Sequence, residues 1–243
     1  MVRVRRRLTS RACVMLNDII ARLHSLANPA NREGMARFGI NPEGTLGISV
    51  VVLRYMAKEI GRDHDLALEL WNSGIHEARM LGALIDNHEL LTIAQMETWA
   101  ATFDSWDIVD VTCGNLFDRS PLGWCVIPDW AERPDEFVKR SAFTLMATLA
   151  VHDKKSADAR FEELFPLIVK GATDERNFVK KAVNWALRQI GKRNLHLNRK
   201  AIQLAQKIHQ MPSKSARWIA SDALRELQSD KVQTMLTRKS AKK

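Results

Sequence analysis

Tyrosine occurs once in 243 residues, and stretches that alternate apolar and polar side chains are scarce. A β-sheet architecture therefore has little to build on. Cysteine is sparse as well: Cys13, Cys113 and Cys125 are odd in number and have no closely spaced histidine partners. That argues against a disulfide framework and against a Cys/His metal site, and we expect a reducing, cytoplasmic setting. Apolar runs fall short of the roughly 20 residues a membrane helix requires, and Asp18 interrupts the stretch behind the N-terminal arginines. No span, signal peptide or membrane partner is expected, and residues 1–10 read as a basic arm. The glycine-containing loop at 38–44 lacks both the Gly-Lys-Ser/Thr ending of a P-loop and the close glycine spacing of a dinucleotide turn. His76-Glu77 lacks the second histidine of a zincin. No metal or cofactor is expected.

Positive charge is abundant. The chain carries 37 Lys and Arg against 28 Asp and Glu, a net +9, and the excess is unevenly placed. Residues 62–136 hold 4 basic against 15 acidic side chains, whereas residues 174–211 hold 9 against 2. A local basic surface of this kind suits a polyanion, although scattered lysines on a solvated helical surface give the same count.

Helical periodicity dominates. Glycine and proline fall mainly between segments, and helices are predicted over 12–27, 46–60, 64–72, 75–86, 92–103, 106–117, 123–131, 135–151, 157–170, 175–193, 198–209 and 215–227. Asp174 and Thr92 are expected N-caps. Phe137-Val138-Lys139-Arg140 recurs 41 residues later as Phe178-Val179-Lys180-Lys181, each followed by a matching apolar pattern, and 215–227 is a weaker third copy. A period of roughly 40 to 47 residues with two helices per unit is the signature of HEAT or armadillo repeats. The expected fold is all-α, a HEAT-like solenoid of antiparallel helix pairs over 11–230 with a concave basic groove, followed by a basic, partly disordered tail over 231–243.

Two constellations invite a chemical reading. Trp106 and Asp110 stand four apart in a predicted helix, so an indole and a carboxylate project side by side and suit a cationic guest. On spacing alone, a half-buried core tryptophan beside a solvated acid is the commoner outcome. Lys181, Trp185 and Arg188 set an indole between cations on one helical face, and with Arg140 they are expected to line the groove. Pattern alone leaves Trp185 equally readable as the core plug of its repeat.

Ser105-Trp106-Asp107 with Val109-Asp110, Leu70-Trp71-Asn72-Ser73 with His76-Glu77-Ala78-Arg79, and residues 178–193 together resemble the HEAT-repeat DNA alkylation repair family, over about residues 47–227. The resemblance implies a monofunctional DNA glycosylase that excises cationic N3- or N7-alkylated purines from double-stranded DNA. It implies roles for Trp106 and Trp185 as groove tryptophans bracketing the lesion's deoxyribose, for Asp110 as the catalytic carboxylate, and for Arg140 as a phosphate contact. Lys181 and Arg188 join the expected DNA contacts on their position. The protein is expected to be a monomer that needs no metal or organic cofactor, and the family is understood to act without flipping the base into a pocket. Ser105 stands where these glycosylases commonly carry a second tryptophan, and some relatives of the same fold bind branched or distorted DNA without catalysis. The alternative expectation is such a non-catalytic module.

Overall fold

The computed structural model describes residues 15–241. The expected basic arm over residues 1–10 lies outside them. Among the described residues the regular structure is helical, and no helix is long and apolar enough to cross a membrane. The chain is described in two compact units, one ending at Leu116 and one beginning at Phe117.

The first unit holds α1 (15–25), α2 (Pro29–Arg37), α3 (Val50–Ile60), α4 (His64–Asn72), α5 (His76–Ile85), α6 (Ile93–Ala100) and α7 (Trp106–Asn115). Helix α5 is its centre, buried along nearly its whole length and packed on α3, α4 and α7. Gly82 permits the closeness of α4, since a Cβ there would come within 2.8 Å of the Ala67 carbonyl oxygen. Trp71 stacks on Trp99 with ring centroids 3.9 Å apart, and the Arg79 guanidinium lies over the Trp71 ring. Both indoles are buried, as expected of core tryptophans. Thr92 caps α6 by accepting from the Gln95 amide, which agrees with the sequence reading.

Helix α2 is a correction. Asn28-Pro29 reads from sequence as the end of a helix; here it starts one. The Asn28 side chain accepts from the Asn31 amide, and Pro29 occupies the first helical position, where its missing N–H costs nothing.

The second unit runs from a 3-10 turn (Phe117–Arg119) through α8 (Leu122–Trp130), α9 (Glu136–His152), α10 (Asp158–Glu162), α11 (Phe165–Gly171), α12 (Asn177–Gly191), α13 (Leu195–His209), α14 (Lys214–Leu227) and α15 (Asp230–Ser240). Val179, Ala182, Val183, Ala186, Leu187 and Ile190 form the buried stripe of α12. Each fully buried aliphatic side chain contributes about 1.5–3 kcal/mol of transfer free energy. The repeat seen in the sequence is physical: α9 and α12 pack together, and their equivalent Phe137 and Phe178 rings lie 5.8 Å apart. Buried Asn198 ties the next helices in, its amide donating to the Gly191 and Leu227 carbonyls at 3.0 and 3.4 Å.

Three local expectations change. The helix predicted over 157–170 divides into α10 and α11, because Pro166 has no N–H to continue the ladder. Asp174 does not cap α12 as its N-cap; that position is Arg176, whose amide Asp174 accepts at 3.1 Å. The tail expected as partly disordered forms α15 over Asp230–Ser240, since Val232 and Leu236 supply an apolar edge that packs against the preceding helices.

Candidate functional site

Helix α7 has two faces. Ile108, Val109, Thr112 and Cys113 enter the core, while Trp106, Asp107, Asp110 and Val111 line a cavity of about 700 Å³ in the first unit. The side-by-side projection inferred from the spacing of Trp106 and Asp110 is therefore present, and both side chains are half-buried. The Trp106 indole Nε1 donates to the Phe38 carbonyl oxygen at 3.0 Å, which ties its edge to the end of α2. Met35, Phe38, Ile48 and Met80 give the cavity mainly apolar walls, and Arg54 of α3 reaches it from an exposed position.

The loop between α2 and α3 forms one wall, and a buried carboxylate holds it there. Glu77 is fully buried, and its two oxygens accept the amides of Leu46, Gly47 and Ile48 at 2.8, 2.7 and 3.1 Å. From the other side, Asn28 donates its amide to Leu46 O at 2.8 Å, and Asn31 donates its side-chain amide to Gly47 O at 3.2 Å. Gly47 sits at φ +83°, and a Cβ there would come within 2.2 Å of the Asn28 oxygen, so only glycine fits. The loop that offers no phosphate cradle is a cavity wall. Sequence reasoning missed both α2 and the Glu77 latch; only the Asn28-Pro29 pair signalled the helix.

Below the cavity, His76 donates from Nε2 to Asp107 Oδ2 at 2.9 Å, both groups being buried. Burial disfavours the imidazolium, but the Asp107 hydrogen bond and the charges of Asp107 and Glu77 outweigh it and raise the His76 pKa above its ordinary 6.5. For Asp107, burial pushes up, and the hydrogen bond and charge of His76 overcome it to hold the carboxyl below its ordinary 3.8. The raised His76 pKa contributes stability that is complete below its unfolded value and lost as pH rises through the folded one. The depressed Asp107 pKa contributes stability present above its unfolded value and lost as pH falls through the folded one. We expect the stability difference between wild type and His76→Gln to shrink steadily as pH is raised from about 5.5 to about 9, as read from chemical denaturation. A difference that stays constant over that range would show that the pair carries no charge.

Several acids of residues 62–136 have partners within the fold. Asp63 accepts the Leu66 amide, Asp86 pairs with His64, Asp104 with Arg79 and Asn41, and Asp118 with His152. Asp107 and Asp110 are the two acids that line the cavity.

The other expected site residues lie in the second unit. Arg140 is 5% exposed and donates to the Phe178 carbonyl oxygen at 2.7 Å, which joins α9 to α12. Lys181 is exposed and Trp185 half-buried. Arg188 pairs with Glu226 at 2.5 Å and Asp222 at 3.4 Å on α14, and Glu226 also accepts from Lys192 at 2.6 Å. The three cations expected in a groove are unlike one another: Lys181 presents its charge to solvent, while Arg140 and Arg188 are engaged within the unit. Spacing within one helix carries no sign of Phe178 and Glu226, which lie 38 residues beyond the arginines they bind. Among the described residues no group of three or more His, Cys, Asp or Glu is placed to hold a metal ion.

The chain is similar to known proteins in sequence pattern and in fold. The sequence pattern of the family described as DNA alkylation repair enzyme matches residues 19–227. A solved structure described as "A new family of proteins related to the HEAT-like repeat DNA glycosylases with affinity for branched DNA structures" is similar, with a TM-score of 0.72 at 16% identity, covering 87% of this chain and 94% of that one. At that identity the likeness concerns the fold, and the expected all-α, HEAT-like class is the observed one. Two designed armadillo repeat proteins, one solved with a (KR)4 peptide, match at a TM-score of 0.36. They are 14% and 12% identical, covering 73% and 76% of this chain and 92% and 88% of theirs. No curated protein sequence matches.

Proposed function

This chain belongs to the DNA alkylation repair enzyme family, and on that premise we propose that it is a monofunctional DNA glycosylase releasing cationic N3- or N7-alkylpurines from duplex DNA. The observation that carries the reading is the pairing of Trp106 and Asp110, one turn apart on α7 and opening onto one cavity. Alkylation at N3 or N7 leaves the purine positively charged and its glycosidic bond weakened. As that bond breaks, its electron pair neutralises the departing base and positive charge builds on the sugar. The Asp110 carboxylate stabilises that charge and positions a water, whose oxygen bonds to C1′ while its proton passes to solvent. Trp106 favours the same charge through its π face, a contribution of about 0.5–2 kcal/mol.

In the second unit, exposed Lys181 is assigned a phosphate contact and Trp185, four residues on, a sugar or base contact. Arg140 and Arg188 support them by holding α9, α12 and α14 in register, given the bonds they make. Log affinity for duplex DNA is expected to fall linearly with log salt, and Lys181→Glu to weaken binding and flatten that slope by about 0.9 for each phosphate no longer neutralised. An unchanged slope in a folded Lys181→Glu protein would remove that residue from the interface.

The deciding experiment incubates the purified protein with methylated duplex DNA and measures released 3-methyladenine and 7-methylguanine. A second reading, a non-catalytic module for branched or distorted DNA, is favoured by Ser105 at the position of the expected tryptophan and by the affinity for branched DNA described for the structurally similar family. Duplex or junction binding with no release of either base would select it.

A further inference from the structure

One end of the second unit gathers cations from three separate elements. Lys181, Trp185, Arg188 and Lys192 stand at i, i+4, i+7 and i+11 on α12, the spacing of one helical face, and Lys192 is the C-cap residue. Helix α15 reaches that end: the Lys239 ammonium donates to the Lys192 carbonyl oxygen at 3.1 Å. Arg193 reaches the end of α9, donating to the Ala150 and Asp153 carbonyl oxygens at 2.8 and 2.7 Å, and its guanidinium lies over the Phe161 ring. The turn behind α9 carries Lys154 and Lys155. Asp153 fixes it by accepting the Lys155 and Ser156 amides at 3.0 and 2.9 Å and the Trp124 indole N–H at 3.1 Å.

Cations at helix C-termini are ordinary, because the last carbonyls carry partial negative charge. That accounts for Arg193 and Lys239, which bind such carbonyls, and not for Lys154, Lys155 and Arg238, which are exposed. The crowding works against the free protein: partial burial, then the like charges of Lys154, Arg193 and Lys192, press the Lys239 pKa below its ordinary 10.5. Nearby carboxylates are committed elsewhere, Glu226 to Arg188 and Lys192 and Asp153 to its own turn. A phosphate backbone relieves such crowding, since it carries negative charge at every step of its length. We infer that this end of the second unit is a phosphate-binding surface for duplex DNA, continuing the Lys181 face of α12 past the helix end, with Lys154, Lys155, Arg238 and Lys239 as its contacts. This rests on the duplex-binding part of the reading above and is independent of base release. At 1.5 Å per residue, Lys181 and Lys192 are about 16 Å apart along α12, roughly five base pairs of duplex, so a single bound DNA spans both. The C-terminal segment that sequence presents as a partly disordered basic tail is then a built part of the interface.

The test neutralises the exposed cations in the full chain and titrates a labelled, undamaged duplex by fluorescence anisotropy at several salt concentrations. Lys154→Gln/Lys155→Gln leaves in place the backbone amides that Asp153 accepts, so the turn keeps its shape. It is expected to weaken binding about tenfold and to flatten the slope of log affinity against log salt by about 0.9 for each phosphate released. Arg238→Gln, on a different element, is expected to flatten the slope as well, and either change is expected to add to the effect of Lys181→Glu because one duplex spans both places. Wild-type affinity and slope in both folded variants would overturn the surface, and a slope that still responds to Lys181→Glu would leave DNA binding by α12 standing. Flattening by Lys154→Gln/Lys155→Gln and Arg238→Gln in a protein that ignores Lys181→Glu would overturn the Lys181 contact and leave the phosphate surface at the end of the unit.

Discussion

Asp110→Asn is expected to lower the rate of alkylpurine release by about 10²–10³, the loss typical of one preorganised electrostatic group. The substitution keeps shape and much of the hydrogen bonding but deletes the charge that faces the oxocarbenium-like sugar. Because that charge develops as the bond breaks, the loss should appear in the chemical step measured under single-turnover conditions. Affinity for intact DNA should hold or rise, since a carboxylate near a phosphate backbone is a repulsion removed. Asp110 lines the cavity from the middle of α7, whose core face is independently buried by Ile108, Val109 and Cys113, so the fold should tolerate the change. Unchanged release by a folded Asp110→Asn protein would dismiss the catalytic assignment.

Glu77→Ala should be the most damaging single substitution for stability in the first unit, at about 3–5 kcal/mol in chemical denaturation, because each buried unsatisfied donor costs about 1–3 kcal/mol unless the loop moves to water. Three backbone N–H groups, those of Leu46, Gly47 and Ile48, are deprived of their acceptor at once. Moving the loop opens the cavity wall, so the loss of structure and the loss of function are coupled here. Glu77→Gln retains one carbonyl oxygen but turns an N–H₂ toward a donor, and its loss should be intermediate. Amide hydrogen exchange at residues 46–48 should accelerate in both variants. A cost below about 1 kcal/mol for Glu77→Ala would mean that water replaces the carboxylate without loss.

The helical class, the positions of most helices and the α9/α12 repeat follow from sequence alone, because helical periodicity is a property of neighbouring residues. The same holds for Trp106 and Asp110: residues four apart on one helix share a face whatever surrounds it. Tertiary structure alone decided what that face looks onto. The cavity draws on α2, α3, α5, α7 and the loop at 38–49, and Asn28-Pro29 is locally ambiguous between ending a helix and beginning one. Glu77 reads as one more acid in an acidic stretch until the amides it accepts, about thirty residues earlier, are brought to it. Arg140, Lys181 and Arg188 are alike as sequence, yet a carbonyl and two carboxylates 34 to 38 residues distant make two of them structural ties and leave Lys181 exposed. Burial and pairing are set by residues far apart in the chain, and local pattern carries no record of which ones will meet.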